Sequence, residues 1–132
     1  MPRFLRALAA VAVVMLVLDL TWLGIAAAPL YDRGLAHLKA PEVNVVAAGL
    51  FYAMYVVVTT LHALPGATVK AAAGRGAALG FVAYATYELT NWAVLRDWPA
   101  WLVPIDVAWG IFLTALSGAV ARLAGGPPPP AR

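Results

Sequence analysis

Asp19, Glu88 and Asp106 are the side chains of this sequence best placed to do chemistry. Each lies inside a stretch otherwise apolar enough to span a bilayer, and no Lys or Arg lies at a similar depth. An ionisable group at membrane depth costs several kcal/mol on most scales, so it faces a bundle interior and marks a functional position. Carboxylates held there can carry a proton, bind a cation, or divide general acid and base work when their environments differ. The competing explanation is a protonated, hydrogen-bonded network that only fixes packing. Three acids without a buried base are a costly way to pack helices.

The surrounding residues repeat. Asp19-Leu20-Thr21-Trp22 and Asp106-Val107-Ala108-Trp109 share a D-x-x-W spacing. That spacing puts acid and indole one turn apart on the same helix face, where the ring can wall off the carboxylate and its N–H can donate a hydrogen bond. Their helices run in opposite directions, in the manner of an inverted repeat. The third acid sits in Tyr87-Glu88-Leu89-Thr90-Asn91-Trp92, where acid, hydroxyl and amide offer oxygen ligands or a relay. The candidate proton- or ligand-binding set is Asp19, Trp22, Tyr84, Tyr87, Glu88, Thr90, Asn91, Asp106 and Trp109. No metal site or cofactor is expected, because a hard divalent cation wants more oxygens than these supply. His37 and His62 fall at opposite ends of the membrane.

Four apolar runs must position these residues, at about 7–30, 41–64, 68–95 and 99–123, each of the roughly 20 residues that cross a hydrocarbon core. Pro29 is expected to close the first, Pro41 to sit in the first turn of the second, and Pro65-Gly66 to stop it. The fourth starts at Pro99 or Pro104. If Pro104 starts it, Asp106 falls in the first turn beside unpaired backbone N–H groups. Asp106 would then be the charged partner and Asp19 the proton carrier. In the second run Asn44, Ala48, Tyr52, Tyr55, Thr59 and His62 recur at steps of three and four, a polar stripe over the full depth. Tyr84, Tyr87, Glu88 and Asn91 share a face of the third, and Gly76 and Gly80 would let backbones approach closely. From helix direction, Glu88 and Asp106 fall about 6 and about 7 Å outside the midplane, in one band with Asp19. Tyr31, Trp98 and Trp101 fit an outer interfacial belt.

Composition agrees with a membrane protein. The 132 residues are 64% hydrophobic and only 11% charged. The mean hydropathy is +0.84, outside the soluble range. Residues 1–124 make one all-α, four-transmembrane-helix bundle with a polar interior, and 125–132 a disordered Gly/Pro tail. The net charge of +3 is no nucleic-acid footprint, since the basic residues stand singly at the ends of apolar runs. Arg3, Arg6, Lys70, Arg75, Arg122 and Arg132 flank one face, and Arg33, Lys39 and Arg96 the other, which places both termini in the cytoplasm. The first run is too long for a signal-peptide core and carries Asp19 and Trp22. Abundant Ala, Val, Gly and Pro suit a GC-rich bacterial genome, hence a multi-pass protein of a bacterial inner membrane, with a homo-oligomer possible.

In order along the chain, D-x-x-W-L, Y-[D/E]-x-T-N and D-x-x-W-G resemble a family of small bacterial membrane proteins, domain of unknown function 2177. The resemblance covers nearly the whole chain. It implies an integral membrane protein and brings no assigned activity; in the family the third-helix acid is commonly Asp, where this chain has Glu88. Three functions stay open. The first is a small proton- or cation-coupled transporter or binding protein, whose ligand is a small cation or a lipophilic substrate. The second is an enzyme, or an enzyme subunit, acting on a lipid or isoprenoid-like molecule. The third is an assembly subunit in which the acids are interior glue. A transporter should admit solute from both sides, and a lipid enzyme should open sideways between helices beside the acids.

Overall fold

The computed structural model describes residues 1–129 and is helical throughout, with no strand among the described residues. Arg132, used above as a topology signal, and the end of the Gly/Pro tail lie outside those residues. Helix α1 (Arg3–Thr21) continues into a π-helical turn, Trp22–Ala26. The chain then bends at Ala27 and starts a short helix, α2 (Ala28–Leu35), followed by a 3₁₀ turn at Ala36–Leu38. The first apolar run is therefore divided. Pro29 does not close the first helix; it lies in the first turn of the next, where its missing N–H is no loss.

Helix α3 (Val45–Ala63) begins later than Pro41 suggested, because the Asn44 side chain accepts a hydrogen bond from the Ala47 N–H at 3.0 Å and caps the helix there. Asn44 is thus a cap rather than the start of an interior stripe. Helix α4 (Val69–Val94) is capped in the same way by Thr68, at 3.0 Å from the Ala71 N–H. Helix α5 (Leu102–Gly125) begins between the two prolines offered as its start and ends at Gly126, whose φ of 79° suits the C-terminal glycine position.

Among the described residues three helical stretches are long and apolar enough to cross a membrane: Arg3–Ala26, Val45–Ala63 and Leu102–Gly125. Helix α4 matches them in length, but Lys70, Arg75, Glu88, Asn91 and its tyrosines make it less apolar.

Helices α4 and α5 pack antiparallel, backbone to backbone. A Cβ at Gly76 would lie 2.2 Å from the Thr114 carbonyl oxygen, and one at Gly80 2.2 Å from that of Gly110. The G-x-x-x-G spacing provides this approach. Ala7, Val11 and Met15 of α1 are buried with Leu113 and Ala121 of α5. Helix α3 buries only its second half, through Tyr55, Val56, Thr59, Thr60 and Ala63, while residues 43–51 are exposed. The expected full-length stripe is interior only below Tyr52.

At the end of the bundle holding the N-terminus, arginines hydrogen-bond the carbonyls that end the helices. Arg3 Nη2 donates to Leu64 O at 2.6 Å, Arg75 Nε to His62 O at 2.5 Å, Arg6 Nε to Ala124 O at 3.1 Å, and Arg122 Nε to Gly66 O at 3.2 Å. The carbonyls of His62 and Ala124 lie in the last turns of α3 and α5, and those of Leu64 and Gly66 just after α3, where backbone acceptors lack helical partners and cations favour that end of the dipole.

Candidate functional site

Glu88 projects from the α5-facing side of α4 and is 1% exposed. Its Oε2 accepts a hydrogen bond from the Trp98 Nε1–H at 2.9 Å, while no protein donor reaches Oε1. Trp98 comes from the turn joining α4 to α5. Asp97 before it has φ 62°, a left-handed conformation that Asp tolerates better than most residues, and the reversal tucks the indole inward. Trp98 is therefore buried rather than part of an interfacial belt. Trp101 stays partly exposed, with the Arg33 guanidinium 5.5 Å from its ring centre.

Asp106 is the neighbour of Glu88 and is buried as well. Because α5 begins at Leu102, Asp106 lies in the second turn, not the first, and its backbone donors are engaged within the helix. Its partner is instead the Tyr31 hydroxyl, which donates to Oδ1 and in turn accepts from the Trp22 Nε1–H at 3.2 Å. Tyr31 arrives on α2, which the bend at Ala27 folds across the acids. Gly34 holds α2 down: a Cβ there would lie 3.0 Å from Pro99. Burial first, and then the bond to Asp106, push the Tyr31 phenol well above its ordinary range, so it remains a donor at neutral pH.

Asp19 is half-buried and bonds elsewhere, accepting from the Tyr52 hydroxyl at 3.3 Å and lying against the Trp109 indole. The Trp109 Nε1–H is buried without a hydrogen bond of good geometry. Trp22 and Trp109 stack, with ring centres 4.4 Å apart and planes 5° from parallel. The two D-x-x-W motifs are therefore exchanged. Trp22, from the first, serves the acid of the second through Tyr31, and Trp109, from the second, lies beside the acid of the first. Neither ring simply walls off its own carboxylate.

Other expected site residues divide. The Tyr84 ring lies over Gly110, where a Cβ would come within 2.1 Å of it. Tyr87 is more than half exposed and meets Trp98 edge-on at 5.9 Å. Thr90 is exposed and donates to the Thr86 carbonyl of its own helix, so it stands outside the cluster. Asn91 is partly exposed beside Tyr87 and does not reach the acids. No three His, Cys, Asp or Glu side chains among the described residues are grouped as metal ligands. Glu88 and Asp106 are neighbours, and Asp19, hydrogen-bonded elsewhere, lies within reach of the charge of Asp106.

Two cavities share Tyr87 and Asp106 on their linings. One, of about 410 Å³, is lined by Tyr31, Lys39, Tyr87, Glu88 and Asp106 together with apolar residues of the first segment. The other, of about 490 Å³, lies between α3 and α4 and is almost wholly apolar, with Phe51, Met54, Tyr55, Tyr84 and Tyr87 around Asp106. Phe51, Met54 and Tyr87 are exposed, so this second cavity opens sideways. Sequence reasoning missed Tyr31, Trp98 and Lys39 as site residues. Their roles depend on the bend at Ala27 and the reversal at Asp97, which hydropathy does not encode.

These features define a helical membrane protein with a carboxylate pair buried beside a lateral apolar opening. The chain belongs to the predicted membrane protein family DUF2177, whose family model matches residues 4–123. No curated protein and no solved structure matches it.

Proposed function

We propose that the protein binds a lipophilic cation in exchange for a proton, as a small transporter or binding protein of a bacterial inner membrane. The carrying observation is that Asp106 lines both cavities and touches Glu88, with no buried base among the described residues. Two carboxyl groups this close and this dry hold one proton between them rather than two charges. A cation entering through the apolar opening replaces that proton, and aromatic rings beside it add cation–π attraction. In this reading α4 crosses the membrane beside α5, since the two pack side by side from Ala72–Gly118 to Tyr84–Gly110. That makes four crossings, and the greater number of basic residues at the N-terminal end puts both termini in the cytoplasm.

Calorimetric titration of the purified protein with dodecylammonium, in buffers of different ionisation enthalpy, tests the exchange. Release of about one proton per ligand is expected, lost in Glu88→Gln and Asp106→Asn. Binding without proton release, or unchanged binding in both variants, overturns it. The lateral opening also favours a second reading, an enzyme acting on a lipid or isoprenoid-like molecule with the pair dividing acid and base roles. A change in mass of a co-purified lipid on incubation would favour that one.

A further inference from the structure

The two cavities share Tyr87 and Asp106 on their linings, and charges are ordered from one to the other along the path they would make together. At its outer rim stands Lys39, the one cation among the described residues on the lining of either cavity. Asp106 stands where the two linings meet, with Glu88 beside it on the first cavity, and beyond them lies the apolar groove between α3 and α4. A linear amphiphile laid along this path meets apolar walls first, then the acids, then the lysine. We propose that the ligand class is a zwitterionic amphiphile ordered tail–ammonium–anion, such as a lipid-linked amino acid or betaine, rather than a phospholipid ordered tail–phosphate–ammonium. This rests on the lipophilic-cation reading above and adds the anion and its place.

Three observations carry it. Glu88 lines the first cavity, and its Oε1 is buried without a hydrogen-bond donor among the described residues; a protonated amine supplies that hydrogen bond, together with the charge the pair attracts. Lys39 Nζ already pairs with Asp32, yet an ammonium has three donors and can hold a ligand carboxylate at the same time. Among the described residues the groove has no charged side chain other than Asp106 on its lining, so none of them offsets the desolvation of a phosphate. A tail–phosphate–ammonium head with its ammonium on the acids would leave its phosphate on the groove side, against Phe51 and Tyr84 and away from Lys39.

Matched probes separate these orders. The full chain in phosphatidylcholine nanodiscs is titrated with N-dodecyl-β-alanine, dodecylammonium and dodecylphosphoethanolamine, followed by the fluorescence of its five tryptophans, of which Trp22, Trp98 and Trp109 lie beside the acids. Comparing wild type with Lys39→Ala for each probe cancels differences in membrane partitioning. Lys39→Ala should weaken N-dodecyl-β-alanine about fivefold, the scale of a half-exposed ion pair, and leave dodecylammonium unchanged; Lys39→Arg should restore the affinity. Equal effects of Lys39→Ala on the two, or no effect on either, overturn the inference while leaving the cation reading intact. A larger effect on dodecylphosphoethanolamine overturns it in favour of an aminophospholipid. If none of the three binds, the cation reading itself fails. Lys39 lies on an exposed connection, and Lys39→Gln gives a second variant should Lys39→Ala misfold.

Discussion

Gly80→Ala tests whether the α4–α5 contact sets both stability and the acid pair. The new Cβ would lie 2.2 Å from the Gly110 carbonyl oxygen and 2.8 Å from Thr114 Oγ1. Carbon–oxygen contacts across helix interfaces run at about 3.3–3.6 Å, so the backbones must part by about 1 Å. Overpacking of this kind costs about 1–3 kcal/mol, and the upper half applies because the nearest obstacle is backbone. Alanine returns up to about 1 kcal/mol through helix propensity. Gly74→Ala, in the same helix with nothing within 4 Å of the added carbon, gains that propensity and meets no obstacle. The two variants should therefore differ by about 2–3 kcal/mol in reversible unfolding in mixed micelles. Glu88 lies two turns beyond Gly80 on the same helix, so the parting also widens the pair, and dodecylammonium affinity should fall in Gly80→Ala alone. Equal stability of the two variants would refute the close approach and, with it, the means by which the pair is held.

Trp98→Phe removes the donor to Glu88 Oε2 and should cost about 1–3 kcal/mol of stability, the scale of a buried polar group left unpaired, measured by the same unfolding titration. Either Trp22→Phe or Trp109→Phe should abolish the near-ultraviolet circular dichroism of the stacked indoles, and retention of the full signal in both would contradict the stack. Tyr31 has its phenol raised above the ordinary 10.0 in the folded state. It therefore supports the fold at and below pH 10 and loses that support as pH climbs through the raised value. Tyr31→Phe should remove part of the alkaline loss of stability, read from unfolding at pH 9, 10 and 11.

The sequence carries the helices and the acids legibly but not the way the chain turns between them. Apolar runs, the glycine spacing of α4 and the D-x-x-W repeats are periodic signals, and periodicity survives into three dimensions. Asn44 could have been read as a cap from its place before Val45-Val46; Pro41 competed for the same start and lost because a side-chain acceptor satisfies a free N–H that proline cannot. Thr90 shows the opposite error. One residue beyond the Glu88 face, it points outward, and a hydroxyl in a helix satisfies itself on the preceding turn. Tyr31 and Trp98 were assigned to an interface by type alone. Their inward positions follow from the bend at Ala27 and the reversal at Asp97, and the exchange of indoles between the two motifs follows from the antiparallel contact of α1 with α5.

The arginines at the N-terminal end of the bundle serve two readers. During insertion, positive charges beside apolar segments bias which end is retained. In the folded protein the guanidiniums of Arg3, Arg6, Arg75 and Arg122 complete the hydrogen bonding of carbonyls in and just after the ends of α3 and α5. Under the orientation proposed above, insertion and folding are written in the same letters. A lineage that drifted toward inserting either way round would have to surrender these charges, and its helix ends would fray as it did so. The reverse also holds: a change that tightens this end by adding an arginine strengthens the address as well as the fold.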